Sequence, residues 1–419
     1  MSLATRTLEP STRRLDVEAV RAQFPCLQQE VHGRPLVYLD SAASAQKPQR
    51  VLDRMASFYG HDYANIHRGV YDLSQRATDL HDAARATIAN FIGAPEPRTC
   101  IFVRNATEGV NLVAQSFVAE RLKPGESVLI TGMEHHANIV PWHMLRRRHG
   151  IGLKIGPITP EGELDLDAFV ALMDEPDTKF VSLTWVSNAL GSINPVHEIV
   201  REAHARGLPV MLDAAQAVQH LPVDVQDVDC DFLVFSGHKV YGPSGVGVVY
   251  GKAEHLEAMP PYQGGGDMIL SVRYDDIVFN ELPWKFEAGT PDIVGAAGLA
   301  EALDFLTELG IDNVAAHEAE VLAYATRALA QIPGLSLVGT AREKSSVLSF
   351  VMDGAHPHDI GTLLDLDGIA VRAGFHCAQP VIEGLGHAGT ARASIGVYTT
   401  TDDIDRLVAG LRRVADIFA

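Results

Sequence analysis

The sequence predicts an α/β fold with a large domain, built on a mostly parallel sheet covered by helices, and a smaller α+β domain at the C-terminus. The chain has 419 residues, enough for two packed domains that share a cleft. Through its middle, short apolar β-branched runs alternate with amphipathic helical stretches, which is typical of a parallel sheet. The final part has another pattern, in which a long helical stretch from about Asp292 to Ile332 precedes SLVGT, SSVLSFVMDG and a terminal helix from Thr401.

The individual elements follow from apolar periodicity and from the polar turns between runs. The candidate strands are Cys100–Val103, Ser127–Thr131, Phe180–Val186, Pro209–Asp213, Phe232–Phe235 and Val246–Tyr250. The helical patterns between them include Thr107–Glu120, Asn138–His149 and Val196–Arg206. We therefore expect an N-terminal segment (residues 1–35) packing with the small domain, a large domain (36–300) and a small C-terminal domain (301–419). In such a sheet, ligands bind at the carboxyl ends of the strands.

Charge and composition narrow the class of partner. Acidic residues outnumber basic ones by 53 to 34, so the formal net charge is −19. Such a surface repels nucleic acid and anionic lipid, and neither is expected as a partner. No apolar run approaches the roughly 18 residues of a membrane span, and the N-terminal residues lack the apolar core of a signal peptide. The four cysteines form no CxxC pair, which predicts a reduced, cytoplasmic protein without a disulfide framework or a metal site.

Two strand ends carry a candidate cofactor site. In VMLDAAQAVQH an apolar strand ends at Asp213, which alone would be interpreted as a cap or turn residue. In DFLVFSGHKVYGPSGVG a buried strand leads directly to Lys239 and a glycine-rich turn. Burial at the mouth of a cleft can make a lysine nucleophilic, and a snorkelling surface lysine fits the small polar neighbours poorly. A lysine and an anion so placed suit pyridoxal phosphate (PLP), which needs an amine for its imine and a carboxylate against its ring nitrogen.

Further polar residues could complete that site. Gln216 can donate to the phenolic oxygen of PLP, and Ser236 and His238 can hold its phosphate. Ala106 and Thr107 lie at a strand-to-helix turn, where N–H groups favour a phosphate, although Thr107 alone is as readily an ordinary N-cap. In EHHANIVPW, one of His135 and His136 could stack on a flat cofactor and move a proton. Adjacent histidines lack the spacing of a zinc pair.

The segment VRAGFHCAQP contains the cysteine with the most distinctive surroundings. Cys377 lies in a loop bounded by glycine and proline, beside His376 and near Arg372, and positive neighbours with solvent access make a thiol reactive. Cys26, Cys100 and Cys230 are expected to be inert and apolar. Arg392, in ARASIGVYTT, could bind a substrate carboxylate through its guanidinium, against the simpler alternative of a surface ion pair.

Taken together, these segments resemble the aminotransferase class V family and, within it, the SufS-type (group II) cysteine desulfurases, whose PLP-dependent transferase fold is type I. The resemblance extends over nearly the whole chain. It rests on YLDSAASAQKP, ANIHRGVYDLS, NATEGVNLVA, EHHANIVPW, VSNALGSINP, DAAQAV, FSGHKVYGPSGVG, QGGGDMI, FEAGTPD, RAGFHCAQP and RASIG in this order.

The resemblance implies a role for each matching residue. Lys239 would bind PLP covalently, Asp213 would pair with the pyridinium, Gln216 with the phenolic oxygen, and His135 would stack and transfer protons. Ala106, Thr107, Ser236 and His238 would hold the phosphate, and Gly289 and Thr290 would reach the phosphate of a second subunit, which implies a homodimer. Asn188, Arg372 and Arg392 would bind the substrate carboxylate, and Cys377 would carry a persulfide. The chain departs from many similar enzymes at Phe375, where they have a polar residue, often histidine.

The implied activity is removal of sulfur from L-cysteine, giving L-alanine and passing the sulfur to an acceptor protein of the SufE or SufU type, for iron–sulfur cluster assembly. Selenocysteine lyase is the alternative, since selenium leaves more easily and needs no cysteine nucleophile. Kynureninase-like and epimerase activities are disfavoured, because neither needs the cysteine loop. A sulfur carrier without catalysis is disfavoured by the intact Lys239, Asp213 and His135.

Overall fold

A seven-stranded sheet forms the centre of the larger part of the molecule. The computed structural model describes residues 15–418. In sheet order the strands are β1-β7-β6-β5-β4-β2-β3, all parallel except β7, which is antiparallel to both of its neighbours. Their bounds are β1 Cys100–Val103, β2 Ser127–Thr131, β3 Gly152–Gly156, β4 Thr178–Thr184, β5 Val210–Asp213, β6 Phe232–Ser236 and β7 Gly247–Gly251.

The predicted mostly parallel sheet is therefore confirmed. Every residue of β2, β5, β6 and β7 is buried, as expected for strands covered by helices on both faces. Strand β4 begins and ends two residues earlier than predicted. Strand β3 was not predicted, because its sequence GLKIG has a glycine at each end and a lysine in the middle. A Cβ atom at Gly156 would lie 2.1 Å from the Phe169 ring, so close packing explains this glycine.

Helices cover the sheet and fill the C-terminal part. The α-helices are Val17–Arg21, Gln49–Ser57, Asp72–Phe91, Ala106–Val113, Ala119–Arg121, Val140–His149, Leu166–Met173, Val196–Ala205, Val225–Val228, Ala253–Ala258, Ile293–Leu309, Ile311–Leu329, Pro357–Asp365, Gln379–Gly384 and Thr401–Phe418. Short 3-10 turns lie at Pro25–Gln28, Pro97–Thr99, His136–Asn138, Gly237–Lys239 and Trp284–Phe286, and π-helical segments at Phe58–Asp62 and Ala114–Val118.

Two predicted helices are interrupted. The stretch predicted over Thr107–Glu120 contains the π-helical segment Ala114–Val118. The long stretch from Asp292 is two helices that meet at Gly310, whose φ of +78° is incompatible with helix continuation. The first of the two, Ile293–Leu309, is buried along most of its length, which hid this change of direction in a continuous apolar pattern.

The C-terminal part has its own antiparallel sheet. Its strands are β8 Leu335–Val338, β9 Val347–Met352, β10 Arg372–Gly374 and β11 Thr390–Ser394, in the order β8-β9-β11-β10. Two-residue strands at Val37–Tyr38 and Ile369–Ala370 pair in parallel, and short hairpins join Glu30–Val31 to Arg34–Pro35 and Ile269–Val272 to Ile277–Phe279.

The N-terminal segment contacts both parts of the molecule. The Phe24 ring lies within 6 Å of the rings of Tyr241, Phe305 and Tyr398. Arg21 donates to the Asp403 carboxylate at 2.8 Å. The predicted division at residues 35 and 300 stays a prediction, since residue 300 lies inside a helix and residues 1–14 lie outside the described part. Among residues 15–418 no helix is long and apolar enough to cross a membrane.

Candidate active site

The site is built where β5 and β6 end. Asp213 is the last residue of β5, and β6 runs into the turn Gly237–Lys239. Asp213 is buried, Lys239 is half-buried, and both line one cavity. Burial lowers the pKa of Lys239, while the Asp213 carboxylate acts in the opposite direction. Burial raises the pKa of Asp213, and Lys239 opposes that rise. The cavity thus brings together an amine and a carboxylate whose charges influence each other.

A helix begins beside this pair. Asn105 caps the helix Ala106–Val113 by accepting a hydrogen bond from the Glu108 N–H at 3.0 Å. The alternative of Thr107 as the N-cap is therefore wrong, and Thr107 lies in the first turn and lines the cavity. The Ala106 N–H donates to Ser236 Oγ at 2.8 Å, which ties the helix start to the end of β6.

The two adjacent histidines have different surroundings. His135 lines the cavity, and its Nδ1 accepts a hydrogen bond from the Ala137 N–H at 3.0 Å. Burial, followed by the charge of Lys239, lowers the pKa of His135 to about 3. Its imidazole is therefore neutral, with the proton on Nε2. His136 instead binds the cysteine loop: its N–H donates to the Cys377 carbonyl, and its Nε2 accepts from the Gln379 N–H at 3.1 Å.

Cys377 lies on a tight turn. The Ala378 N–H donates to the Phe375 carbonyl at 2.8 Å, and the residues between them, His376 and Cys377, have φ angles of +53° and +57°. Two non-glycine residues in the left-handed region indicate a strained turn. The Asn188 side-chain amide donates to the His376 carbonyl at 2.6 Å and helps to hold it.

Among the chain's four cysteines, all of them in the described part, Cys377 is the exposed one. Cys100 and Cys230 are buried, and burial raises the pKa of the Cys100 thiol to about 12 and that of Cys230 higher still. These two cysteines are buried as predicted. Phe375 is half-buried and packs with the apolar side chains of Met133, Ala378, Val381 and Ile382.

The structure corrects the expectation that His376 carries a positive charge. His376 is buried, and its Nε2 lies 2.7 Å from Thr390 Oγ1. Burial, followed by the charges of Arg392 and Arg372, lowers the pKa of His376 to about 3. The imidazole beside Cys377 is therefore neutral, and the permanent positive charges at the cavity come from Arg372 and Arg392.

Arg392 is not a surface ion pair. It is 1% exposed, its Nη1 donates to the Asn188 carbonyl at 2.9 Å, and its Nη2 donates to Asp40 Oδ1 at 2.9 Å. Asp40 was not among the residues predicted for the site. It precedes the turn SAAS, and only the folded chain brings it to Arg392, 352 residues further along.

Most residues proposed from the sequence meet in this one cavity. Those that line it are Ala106, Thr107, His135, Asn188, Asp213, Ser236, His238, Lys239, Arg372, Cys377 and Arg392. Gln216 is buried just outside, where its side-chain amide donates to the Ala42 carbonyl at 2.6 Å. Gly289 and Thr290 line a second cavity with Arg104 and Glu108. Asn105, His376 and Ala42 also line the first cavity and were not proposed as binding residues.

Comparisons with known proteins identify the family of the chain. The profile of the family described as aminotransferase class-V matches residues 37–407. The chain is 49% identical to a cysteine desulfurase of Pectobacterium atrosepticum, over 95% of this chain and 98% of that protein. It is 50% identical to a cysteine desulfurase of Dickeya dadantii, over 95% and 96% of the two chains.

A solved structure confirms the fold class. The cysteine desulfurase CsdA of Escherichia coli, determined in an S-sulfonic acid form, superimposes with a TM-score of 0.90 at 39% identity, covering 97% of this chain and 100% of that one. The match includes both the parallel sheet and the C-terminal part. From its profile, its relatives and its fold, the chain belongs to the aminotransferase class-V family.

Proposed function

We propose that this chain is a PLP-dependent cysteine desulfurase that converts L-cysteine to L-alanine and receives the sulfur on Cys377. One observation carries the proposal: the exposed thiol of Cys377 lines the same cavity as Lys239 and Asp213. An amine and a carboxylate suit the cofactor, and a separate accessible thiol suits a sulfur that leaves on the enzyme. The relatives of similar length are named cysteine desulfurases.

The donors around the cavity fit PLP. Lys239 would hold it covalently, Asp213 would face its ring nitrogen, and neutral His135 would lie against the ring. The helix start at Ala106 and Thr107, with Ser236 and His238, would hold the phosphate. Gln216 would serve the phenolic oxygen, and its bond to the Ala42 carbonyl leaves one amide hydrogen free for this. When bound, PLP supplies an electron sink that makes the substrate Cα proton acidic and its Cβ–S bond labile.

The residues of the chain then have separate tasks. Arg392, Arg372 and Asn188 bind the substrate carboxylate, and the freed Lys239 amine removes the Cα proton. The Cys377 sulfur bonds to the substrate sulfur as the Cβ–S bond breaks, and Cβ keeps the bonding pair and takes a proton. The sum is cysteine plus the Cys377 thiol giving alanine plus the Cys377 persulfide, so atoms and electrons balance.

The test is alanine release from L-cysteine by the purified, PLP-loaded protein. We expect alanine from the wild type and from Lys179→Ala, which changes an exposed lysine. Lys239→Ala should lose alanine formation and the visible absorption of bound PLP together. A wild type that forms no alanine from cysteine, with or without a reductant or acceptor protein, would refute the function while leaving the fold intact.

The destination of the sulfur is part of the proposal. The short RAGFHCAQP loop resembles the group II form, which supports delivery to an acceptor of the SufE or SufU type for iron–sulfur cluster assembly. The absence of CxxC pairs and the four free cysteines support a cytoplasmic location. Turnover with and without each acceptor measures this delivery, and no stimulation by either would contradict it.

The homodimer is supported by an exposed apolar hairpin. The hairpin of strands Ile269–Val272 and Ile277–Phe279 exposes large side chains, among them Leu270 at 67% in the first strand and Tyr274 at 112% in the turn. Apolar patches of this kind mark association surfaces. Gly289 and Thr290 would reach the phosphate site of the partner from the second cavity. Light scattering should give twice the mass of one chain, and a monomer would contradict the dimer.

A further inference from the structure

The carboxylate of Asp40 lies between the two arginines of the cavity. Its Oδ1 is 2.9 Å from Arg392 Nη2, and its Oδ2 is 3.7 Å from Arg372 Nη1. Asp40 is partly buried and Arg392 is buried, whereas Arg372 is 43% exposed. Each oxygen of one carboxylate therefore faces a different guanidinium of the site proposed for the substrate carboxylate.

These contacts fix the plane of Arg392. One terminal nitrogen donates to the Asn188 carbonyl and the other to Asp40, while its Nε is buried without a partner among residues 15–418. A guanidinium has five N–H donors in a rigid plane. Two anchored donors set the orientation of that plane, and the remaining donors are left for a ligand. A buried donor without a partner is costly, which favours a ligand that satisfies it.

Asp40 also sets the charge of this end of the cavity. Two arginines alone would place two positive charges side by side, and Asp40 leaves a net charge of +1. One substrate carboxylate neutralises that charge. The neighbouring His376 contributes none, since burial keeps it neutral.

We propose that Asp40 is a positioning residue that orients Arg392 and Arg372 for the carboxylate of the amino-acid substrate. The inference deepens the proposed desulfurase function and rests on it. Asp40 acts through the arginines and does not itself touch the substrate.

The experiment compares L-cysteine with cysteamine, which has the same amine and thiol but no carboxylate. In the PLP-loaded Asp40→Ala variant we expect the KM for L-cysteine to rise about ten-fold or more and kcat to change by less than about three-fold. The inhibition constant of cysteamine should stay within about two-fold of the wild-type value, because cysteamine does not use the arginines. In Asp40→Asn an amide oxygen can still accept from Arg392, so the KM for L-cysteine should return to within about three-fold of wild type.

The control is Asp403→Ala, which breaks another aspartate–arginine pair, with Arg21, outside the cavity and should leave both constants unchanged. If Asp40→Ala does not fold, Asp40→Glu replaces it, because the longer carboxylate displaces the Arg392 guanidinium. This variant should raise the KM for cysteine and leave the inhibition constant of cysteamine unchanged. The inference would be overturned if Asp40→Ala raised the KM for cysteine and the inhibition constant of cysteamine alike, or raised neither. It would also be overturned if the KM for cysteine did not recover in Asp40→Asn. A wild type without alanine formation refutes the proposed function, whereas an active wild type with an unchanged Asp40→Ala refutes only this inference.

Discussion

At the scale of single residues, burial decides what each titratable group can do. Lys239 lines the cavity with Asp213, and desolvation lowers its pKa, which favours an amine that can act as a base. Burial lowers the pKa of His135 to about 3 and that of His238 to about 4. Both imidazoles are therefore neutral at physiological pH, so each ring has one N–H that can donate a hydrogen bond and one bare nitrogen that can accept one.

His135 is expected to contribute to proton transfer. His135→Ala should lower kcat for alanine formation by about 100-fold or more, the usual contribution of a positioned acid or base. His143→Ala, an exposed histidine on the following helix, should keep the wild-type rate. Because its pKa is about 3, His135 stays neutral above pH 5, and the pH profile of kcat should show no limb caused by its protonation. Equal rates for His135→Ala and the wild type would contradict this role.

The sequence was informative about residues whose role depends on local surroundings. Lys239, Asp213 and Cys377 follow strands or lie in a glycine-bounded loop, and these patterns are visible within a short stretch of sequence. Asp40, and the contact of His136 with the cysteine loop, were missed because these contacts join distant segments, Asp40 with Arg392 and His136 with Cys377. The error in the expected charge of His376 has the same origin, because burial in the folded chain, which the neighbouring sequence does not reveal, keeps that imidazole neutral.

At the scale of elements, close packing aims the helix Ala106–Val113 at the cavity. A Cβ atom at Gly109 would lie 2.8 Å from Val249 and 2.9 Å from Val234, on strands β7 and β6. A Cβ atom at Gly247 would lie 2.7 Å from Asn105 Cα. The two glycines therefore let the helix start approach the strand ends that carry Ser236 and Lys239. Periodicity predicted the helix and the strands, but not how closely they approach.

Gly109→Ala should push this helix away from the sheet. We expect a loss of stability of roughly 1–3 kcal/mol from overpacking, and weaker binding of PLP because Ala106 and Thr107 move. Thermal unfolding and a titration with PLP measure the two effects. Gly60→Ala is the matched control, because a Cβ atom there has no neighbour within 4 Å. A variant as stable as the wild type, with the same affinity for PLP, would show that the helix does not depend on this contact.

At the scale of the whole molecule, the cavity exists only when both parts of the chain are folded. The large sheet supplies Asp213 and Lys239, and the C-terminal part supplies Arg392 and Cys377. The sequence predicted the two kinds of architecture and the segments that meet. It did not predict the break at Gly310, which a continuous apolar pattern hides, or the strand β3, whose terminal glycines interrupt the apolar pattern.

Stability should depend on pH through the buried histidines. Burial lowers the pKa to about 3 for His81, His135 and His376, and to about 4 for His238. Below their unfolded value of about 6.5, the unfolded chain binds protons that the folded chain does not. The free energy of unfolding should therefore fall as the pH decreases from about 6.5, by roughly 1–4 kcal/mol per pH unit. Glu134, whose pKa burial raises to about 7, offsets one of the four.

Denaturant unfolding without PLP at pH 7, 6 and 5 checks this dependence. His81→Leu removes the one of the four histidines that does not line the cavity. The free energy of unfolding of this variant should therefore change less steeply with pH than that of the wild type. A free energy of unfolding that is constant or increases toward pH 5 would contradict the burial of neutral histidines.

The central claim is that Cys377 receives the sulfur of cysteine, and peptide mass spectrometry tests it most directly. The PLP-loaded protein is incubated with L-cysteine, alkylated without reductant and digested. The account predicts one additional sulfur atom on the Cys377 peptide and none on the peptide of the partly exposed Cys26. In Cys377→Ala, the absorption of bound PLP should remain while alanine formation from cysteine is lost. Alanine formation at the wild-type rate by Cys377→Ala would contradict the account. So would a wild type that forms alanine without gaining a sulfur atom on the Cys377 peptide.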